Sequence, residues 1–280
     1  MLHLIERIRN QMTSPYPLRF ALYRTFASIF YKLFPSSYLK AILLGKVHYP
    51  HYAYCLFESA MLARKLGHSK ISVIEFGVAG GNGLVSIERH VEKISKELGI
   101  GFEVYGFDME TGLPVSDDYR DLLYKFNEGF FKMDRPKLEA NLKSSKLVIG
   151  NISDTCGSFF EKYNPAPIGC IIFDVDYYTS TKDALKIFEA AHDRYLPRVH
   201  CFFDDIEGTN EYVGELCAIK EFNNGNQYKK IAHPYSIEQT SPFILASRIF
   251  IFHDFKHPDY NKQIVGKREK ETELSIRNIL

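Results

Sequence analysis

Two acidic clusters, each following an apolar run, are where chemistry is to be sought in this 280-residue chain. One reads Ile171-Ile-Phe-Asp174-Val-Asp176-Tyr177-Tyr178-Thr179-Ser180-Thr181, the other Cys201-Phe-Phe-Asp204-Asp205-Ile-Glu207-Gly208. Short continuous apolar runs suit buried parallel strands, and ligands of such sheets gather beyond the carboxyl ends of the strands. Four aspartates brought to that edge repel one another and are costly to desolvate. A hard divalent cation relieves the repulsion, and all-oxygen ligation suits Mg2+ or Mn2+ rather than zinc. Capping of the next helix is the competing use, with Thr179 and Ser180 taking some of it, but a cap needs one carboxylate rather than four. No Lys, Arg or His is interleaved in either run to neutralise them.

A glycine-rich turn is the second chemical feature: Ile71-Ser-Val-Ile-Glu75-Phe-Gly77-Val-Ala79-Gly80-Gly81-Asn82-Gly83. Glycines there allow a sharp turn and close approach of a ligand to the main chain, while the following helix offers unpaired N–H groups. The spacing is not the GxGxxG of a dinucleotide site, and Glu75 ends the strand just before the first glycine. An acid there repels a pyrophosphate and suits a ligand bearing an amine, such as S-adenosylmethionine. Asp108, at the end of the next apolar run, is placed to accept hydrogen bonds from a ribose diol. A tight structural turn with no ligand is the bland alternative.

The elements that must position these residues alternate between short apolar runs and helical patterns, the mark of βαβ units and a parallel sheet. Strands are expected at Ile71–Phe76, Phe102–Phe107, Lys146–Ile149, Gly169–Phe173 and Val199–Phe203. Gln227–Ala232 and Arg248–His253 read as a closing antiparallel pair. Helices fit Tyr54–Gly67, Gly83–Leu98, Thr181–Tyr195 and Gly214–Asn223. The long segment Thr111–Ser145 is rich in aromatic and charged residues. Its Tyr119, Tyr124, Phe130 and Phe131 either line an acceptor pocket or form a private core.

Composition excludes several classes. With 35 basic and 34 acidic residues the net charge is +1, which argues against a nucleic-acid-coating protein. The 22 Phe and 18 Tyr exclude a disordered chain. Five cysteines without a CxxC pair argue against a disulfide framework or zinc site, and a cytoplasmic setting is expected. Residues 1–50 hold seven Lys/Arg against Glu6 alone, a local charge of +6. Leu22, Phe26, Ile29, Phe30 and Leu33 are spaced for an amphipathic helix there, and Arg19, Arg24 and Lys32 interrupt any membrane span. Packing on the main domain or on a twin subunit is expected of it, and peripheral contact of residues 1–45 with an anionic membrane is the alternative. The division is therefore a basic helical extension (1–49), a catalytic domain (50–255) and a charged tail (256–280).

With Glu75-Phe-Gly77-Val-Ala79-Gly80-Gly81 in place, the chain resembles the class I S-adenosylmethionine-dependent methyltransferases, with Ala79 where that family has its middle glycine. Phe-Asp174-x-Asp176-x-Tyr178-x-Ser180-Thr181-x-Asp183-Ala-Leu, Asp204-Asp205, Gly112-Leu113-Pro114 and Gly214-Glu215-Leu216-x-Ala218-Ile219-x-Glu221-Phe222 narrow it to the macrocin O-methyltransferase-like family. The similarity runs from Val73 to Phe222. It implies a Rossmann-like α/β fold with a mainly parallel seven-stranded sheet, and Mg2+-dependent O-methylation of a sugar or natural-product-like small molecule; a homo-oligomer is expected separately. Cofactor contact is implied for Glu75, Gly77, Val78, Ala79, Gly81, Asn82, Asp108, Asn151, Ile152 and Asp174. Metal ligation is implied for Asp174, Asp204 and Asp205, and the general base is Asp176. An NAD-dependent oxidoreductase and a non-catalytic nucleoside-binding protein are the rival readings.

Overall fold

Each apolar run becomes a strand of one sheet in the computed structural model, which describes residues 37–206, 208–235, 237 and 244–264. The amphipathic pattern from Leu22 to Leu33 and the end of the charged tail lie outside the described residues. Seven strands stand in the order β3-β2-β1-β4-β5-β7-β6. They are β1 (Lys70–Phe76), β2 (Gly101–Asp108), β3 (Lys146–Ile149), β4 (Ile168–Phe173), β5 (Tyr195–Phe203), β6 (Lys229–Ala232) and β7 (Ile249–Asp254). The first five are parallel, and β7 runs antiparallel to both β5 and β6, as the closing pair predicts. The result is a Rossmann-like doubly wound sheet whose order reverses between β1 and β4.

Both faces of this sheet are covered, so its strands carry little polar residue. In β1 every residue after Lys70 is buried. Ile71 and Val73 point to one core, with Cys170, Ile172 and Phe202; Ile74 and Phe76 point to the other, with Ile171, Phe173 and Phe203. That alternation is the period-two geometry of a strand. Against the first face pack α1 (Tyr38–Leu43), α2 (Pro50–Leu66) and α3 (Asn82–Leu98); α5 (Ile152–Tyr163), α6 (Tyr178–Ala184) and α7 (Gly214–Gly225) cover the second. Pro50 stands at the first turn of α2, and Gly67 ends it in the left-handed conformation. Among the described residues no helix is long and apolar enough to cross a membrane.

One expected element is corrected. Thr181–Tyr195 is not a single helix: α6 starts earlier, stops at Ala184, continues as 3-10 turns over Leu185–Glu189 and His192–Arg194, and Tyr195 already belongs to β5. Leu185, Ile187 and Phe188 are buried on the sheet, so tertiary packing overrides helical propensity there. β5 starts before Pro197, which is tolerated because the register with β4 is interrupted between Ile168 and Cys170.

The segment between β2 and β3 is a closed loop with its own small core. At its neck Leu113 N–H donates to the Phe130 carbonyl and Gly129 N–H to the Leu113 carbonyl, both at 2.9 Å. Leu122 and Phe126 pack with Tyr177, joined by Leu113 and Val213. Asp121, fully buried, accepts the N–H and hydroxyl of Thr179 at 2.8 Å each, which caps α6 from the loop side. Arg120 reaches Glu221 of α7 at 3.0 Å and lies over the Tyr178 ring at 4.0 Å. Short helix α4 (Arg135–Glu139) follows, with Asp134 as its cap.

Candidate functional site

The turn after β1 is shaped by close contact with β4. Gly77 has φ +84, and a Cβ there would sit 1.8 Å from the Asp174 carbonyl oxygen. Gly81 has φ +81 and lies beneath Leu138 of α4, whose Cδ1 a Cβ would approach to 2.1 Å. Ala79, in the place of the resembled family's middle glycine, takes φ +45. It therefore occupies backbone space that glycine fills freely, at a cost of about 1–2 kcal/mol for an L-residue.

Asp108, at the end of β2, holds this turn. Its Oδ2 accepts the N–H groups of Val78 and Ala79 at 2.8 Å each, and its Oδ1 accepts Glu110 N–H at 2.6 Å. Two N–H groups of the kind that cradle a pyrophosphate are thus already committed to a carboxylate. Glu75 is buried beneath, with Oε1 against the first turn of α3, where a Cβ on Gly83 would be 1.9 Å away. Its Oε2 has no hydrogen-bond partner, and burial, then Asp174 and Asp108, push the Glu75 carboxyl well above the usual range.

A cavity of about 430 Å³ opens above these residues. Gly77, Ala79, Asp108, Asn151, Ile152 and Asp174 line it together with Asp176, Asp204 and Asp205. Asn151 caps α5 by accepting Ser153 N–H at 3.1 Å. Of the other residues expected at the cofactor, Glu75, Val78, Gly81 and Asn82 lie outside the lining, and Val78 faces Gly106 in the core. Leu113, Pro114, Phe126, Phe130 and Phe131 of the closed loop add an apolar lining. Tyr119 and Tyr124 project into solvent, so the four aromatics divide between surface and pocket.

Asp174, Asp204 and Asp205 each offer an oxygen within 4.8 Å of the others. Burial, then Asp204 and Asp205, push the Asp174 carboxyl well up, and burial and Asp204 raise Asp205. Asp176 is buried and pushed up to about 9 by burial, Asp205 and Asp174. Its backbone is at φ +60, with Tyr177 N–H donating to the Val175 carbonyl across it at 2.5 Å. A non-glycine residue in such a tight turn stores strain of about 1–3 kcal/mol, a cost typical of positions held for function.

The cluster is not free of cations, contrary to the reading of the two runs alone. Arg248, just before β7, bonds the Asp204 carboxylate at 2.8 Å and its carbonyl, and Lys125 lies 3.8 Å from Asp205. Two cations face four aspartates, so the carboxyls outnumber their basic partners. The three-carboxylate oxygen set fits a hard divalent ion. Sequence reasoning quoted Glu215 only within a motif and gave it no role, whereas it accepts Asp205 N–H at 3.0 Å, and it missed the capping Asp121. Arg248 and Lys125 carried no local signal, because they reach the cluster from other elements.

No protein-family model and no curated protein sequence matches the chain. Solved structures similar in fold include the calicheamicin methyltransferase CalS11, 19% identical with a TM-score of 0.45, covering 75% of this chain and 85% of that one. The O-methyltransferase NovP is 13% identical with a TM-score of 0.49, covering 84% and 98%. An O-methyltransferase from Bacillus cereus in complex with SAH is 14% identical with a TM-score of 0.39, covering 83% and 98%.

Proposed function

We propose that the chain is an S-adenosylmethionine-dependent methyltransferase that methylates a hydroxyl of a sugar or natural-product-like small molecule. The observation that carries this reading is one cavity shared by a phosphate-averse glycine turn and a carboxylate cluster. Because Asp108 already takes the N–H groups of Val78 and Ala79, the turn is poorly furnished for a dinucleotide's pyrophosphate. Glu75 and Asp174 bring carboxyl oxygens to the same edge, acceptors suited to the amino group of the methyl donor.

Gly77 and Ala79 let the donor approach the main chain, Asp108 offers the remaining lone pair of Oδ1 to a ribose hydroxyl, and Asn151 with Ile152 flanks the base. Asp174, Asp204 and Asp205 would hold Mg2+ or Mn2+. When bound, such an ion would lower the pKa of an acceptor hydroxyl and fix its position. With a cation offsetting its neighbours Asp174 and Asp205, Asp176 would be ionised; it then takes the hydroxyl proton, and the oxygen attacks the methyl carbon in line as the carbon–sulfur bond breaks. Opposite charges annihilate in that step, so the chain mainly supplies orientation, a base and a water-poor pocket. Leu113, Pro114, Phe130 and Phe131 receive the apolar face of the acceptor.

Titration calorimetry of the full chain with S-adenosylhomocysteine and with NAD+ tests the donor assignment. Binding of the first and not the second is expected; the opposite result would replace the methyl donor with a hydride carrier. Transfer of labelled methyl to a panel of hydroxylated glycosides and phenols then tests the acceptor class.

A further inference from the structure

Glu215 has no part in the chemistry above, yet it is fully buried beside the carboxylate cluster. It lies in the first turn of α7, where an acid ordinarily faces solvent or the helix's own N–H groups. Here it turns inward: Oε2 accepts the Asp205 N–H at 3.0 Å, and Oε1 is buried with no hydrogen-bond partner. The turn that places it is tightly made. Gly214 has φ +65, and a Cβ there would meet the Thr209 methyl at 2.3 Å. Asn210 and Val213 exchange backbone hydrogen bonds, and Val213 packs on the Leu122–Phe126–Tyr177 core.

A neutral glutamine would accept the Asp205 N–H equally well. A carboxylate with one bare oxygen, buried near three more carboxylates, is unfavourable for the fold alone. Positive charge within the cluster removes the conflict. Resting on the cation reading, we infer that Glu215 is a positioning residue of a divalent-cation centre, acting from behind Asp205. Oε2 fixes the main chain that aims the Asp204 and Asp205 carboxylates, and Oε1 leaves a free acceptor on the same carboxyl group. Glu215 is not one of the three ligands, whose oxygens gather without it. Partners of this kind typically change metal affinity about 10–100-fold when removed.

The test is Mn2+ titration of the full chain by calorimetry, with circular dichroism to verify folding. Glu215→Gln should fold as wild type and bind Mn2+ about 10–100-fold more weakly. Glu215→Asp keeps the charge on a shorter side chain and should lose less affinity than Glu215→Gln. A role limited to accepting the Asp205 N–H gives the reverse order. Wild-type affinity in Glu215→Gln, with binding abolished in Asp174→Asn, would overturn this inference and leave the cation site standing. Absence of Mn2+ binding in the unmodified chain would overturn both.

Discussion

Replacing Asp174 by Asn should change stability in opposite directions with and without a divalent ion. Three carboxylate oxygens lie within 4.8 Å of one another. At an effective dielectric of about 20, two unit charges that far apart repel by about 3.5 kcal/mol. Asp204 is partly exposed and bonded to Arg248, so solvent and the guanidinium reduce the relief on removing one charge to about 1–2 kcal/mol. In EDTA at pH 8, Asp174→Asn should therefore melt above wild type, by about 2–8 °C for a domain of this size. Saturating Mn2+ at a hundred times its Kd adds about 2.7 kcal/mol to a protein that binds it. Wild type should then rise by about 5–10 °C while Asp174→Asn stays nearly still, reversing their order. Differential scanning fluorimetry reads both arms. A variant that melts below wild type in EDTA, or that rises equally with Mn2+, would refute the view that these carboxylates are held apart from their preferred state until an ion joins them.

Asp108→Ala leaves three backbone N–H groups without their acceptor, each charge-assisted bond being worth about 1.5–3 kcal/mol, so calorimetry should show S-adenosylhomocysteine binding weakened at least tenfold. Unchanged affinity removes Asp108 from the donor site. Asp176→Asn should retain the Mn2+ shift and donor binding but lose kcat by about 10²–10⁴-fold on any acceptor the wild type turns over. Gly77→Ala, strained in φ and pressed onto the Asp174 carbonyl, should cost about 2–5 kcal/mol in urea unfolding. Gly67→Ala, with φ +92 but nothing within 4 Å, should cost only about 1–2 kcal/mol. Although its burial opposes ionisation, Glu88 is held below the usual glutamate range by the N–H groups of Ser144, Ser145 and Lys143. A depressed folded-state pKa contributes stability above the ordinary value and loses it as pH falls through the lowered one. The gap in melting temperature between wild type and Glu88→Gln should thus be full at neutral pH and close in acid.

Strand positions were legible because burial on both faces leaves runs such as Ile71–Phe76 and Gly169–Phe173 with no other use, and the ends of those runs put Glu75, Asp108, Asp174 and Asp204 on one edge. The helix at Ile152–Tyr163 was not read, although Asn151 supplies its cap and Ile152, Cys156 and Phe159 its buried stripe. Thr181–Tyr195 was over-read because no glycine or proline marks where α6 yields to 3-10 turns; the stop is dictated by packing of Leu185 and Phe188. Arg248 was invisible as a site residue because it lies 44 positions from Asp204 and its pairing is created only when β7 is laid beside β5. Charge balance in a cluster depends on the whole topology, and local spacing does not carry it.

The loop from Gly112 to Phe130 meets the domain through a two-bond neck and is otherwise steadied by Asp121 and Arg120. The Phe130 and Phe131 side chains line the cavity but take no part in the anchoring core of Leu122, Phe126 and Tyr177. Exchange of Phe130 or Phe131, or even a change in loop length, therefore leaves the catalytic edge where it is. Doubling such a loop costs only about 0.6 kcal/mol in closure entropy. The architecture is thus a cassette arrangement: on the proposed reading, acceptor preference can drift between descendants, or be exchanged by an engineer, while the carboxylate cluster and the glycine turn are inherited intact.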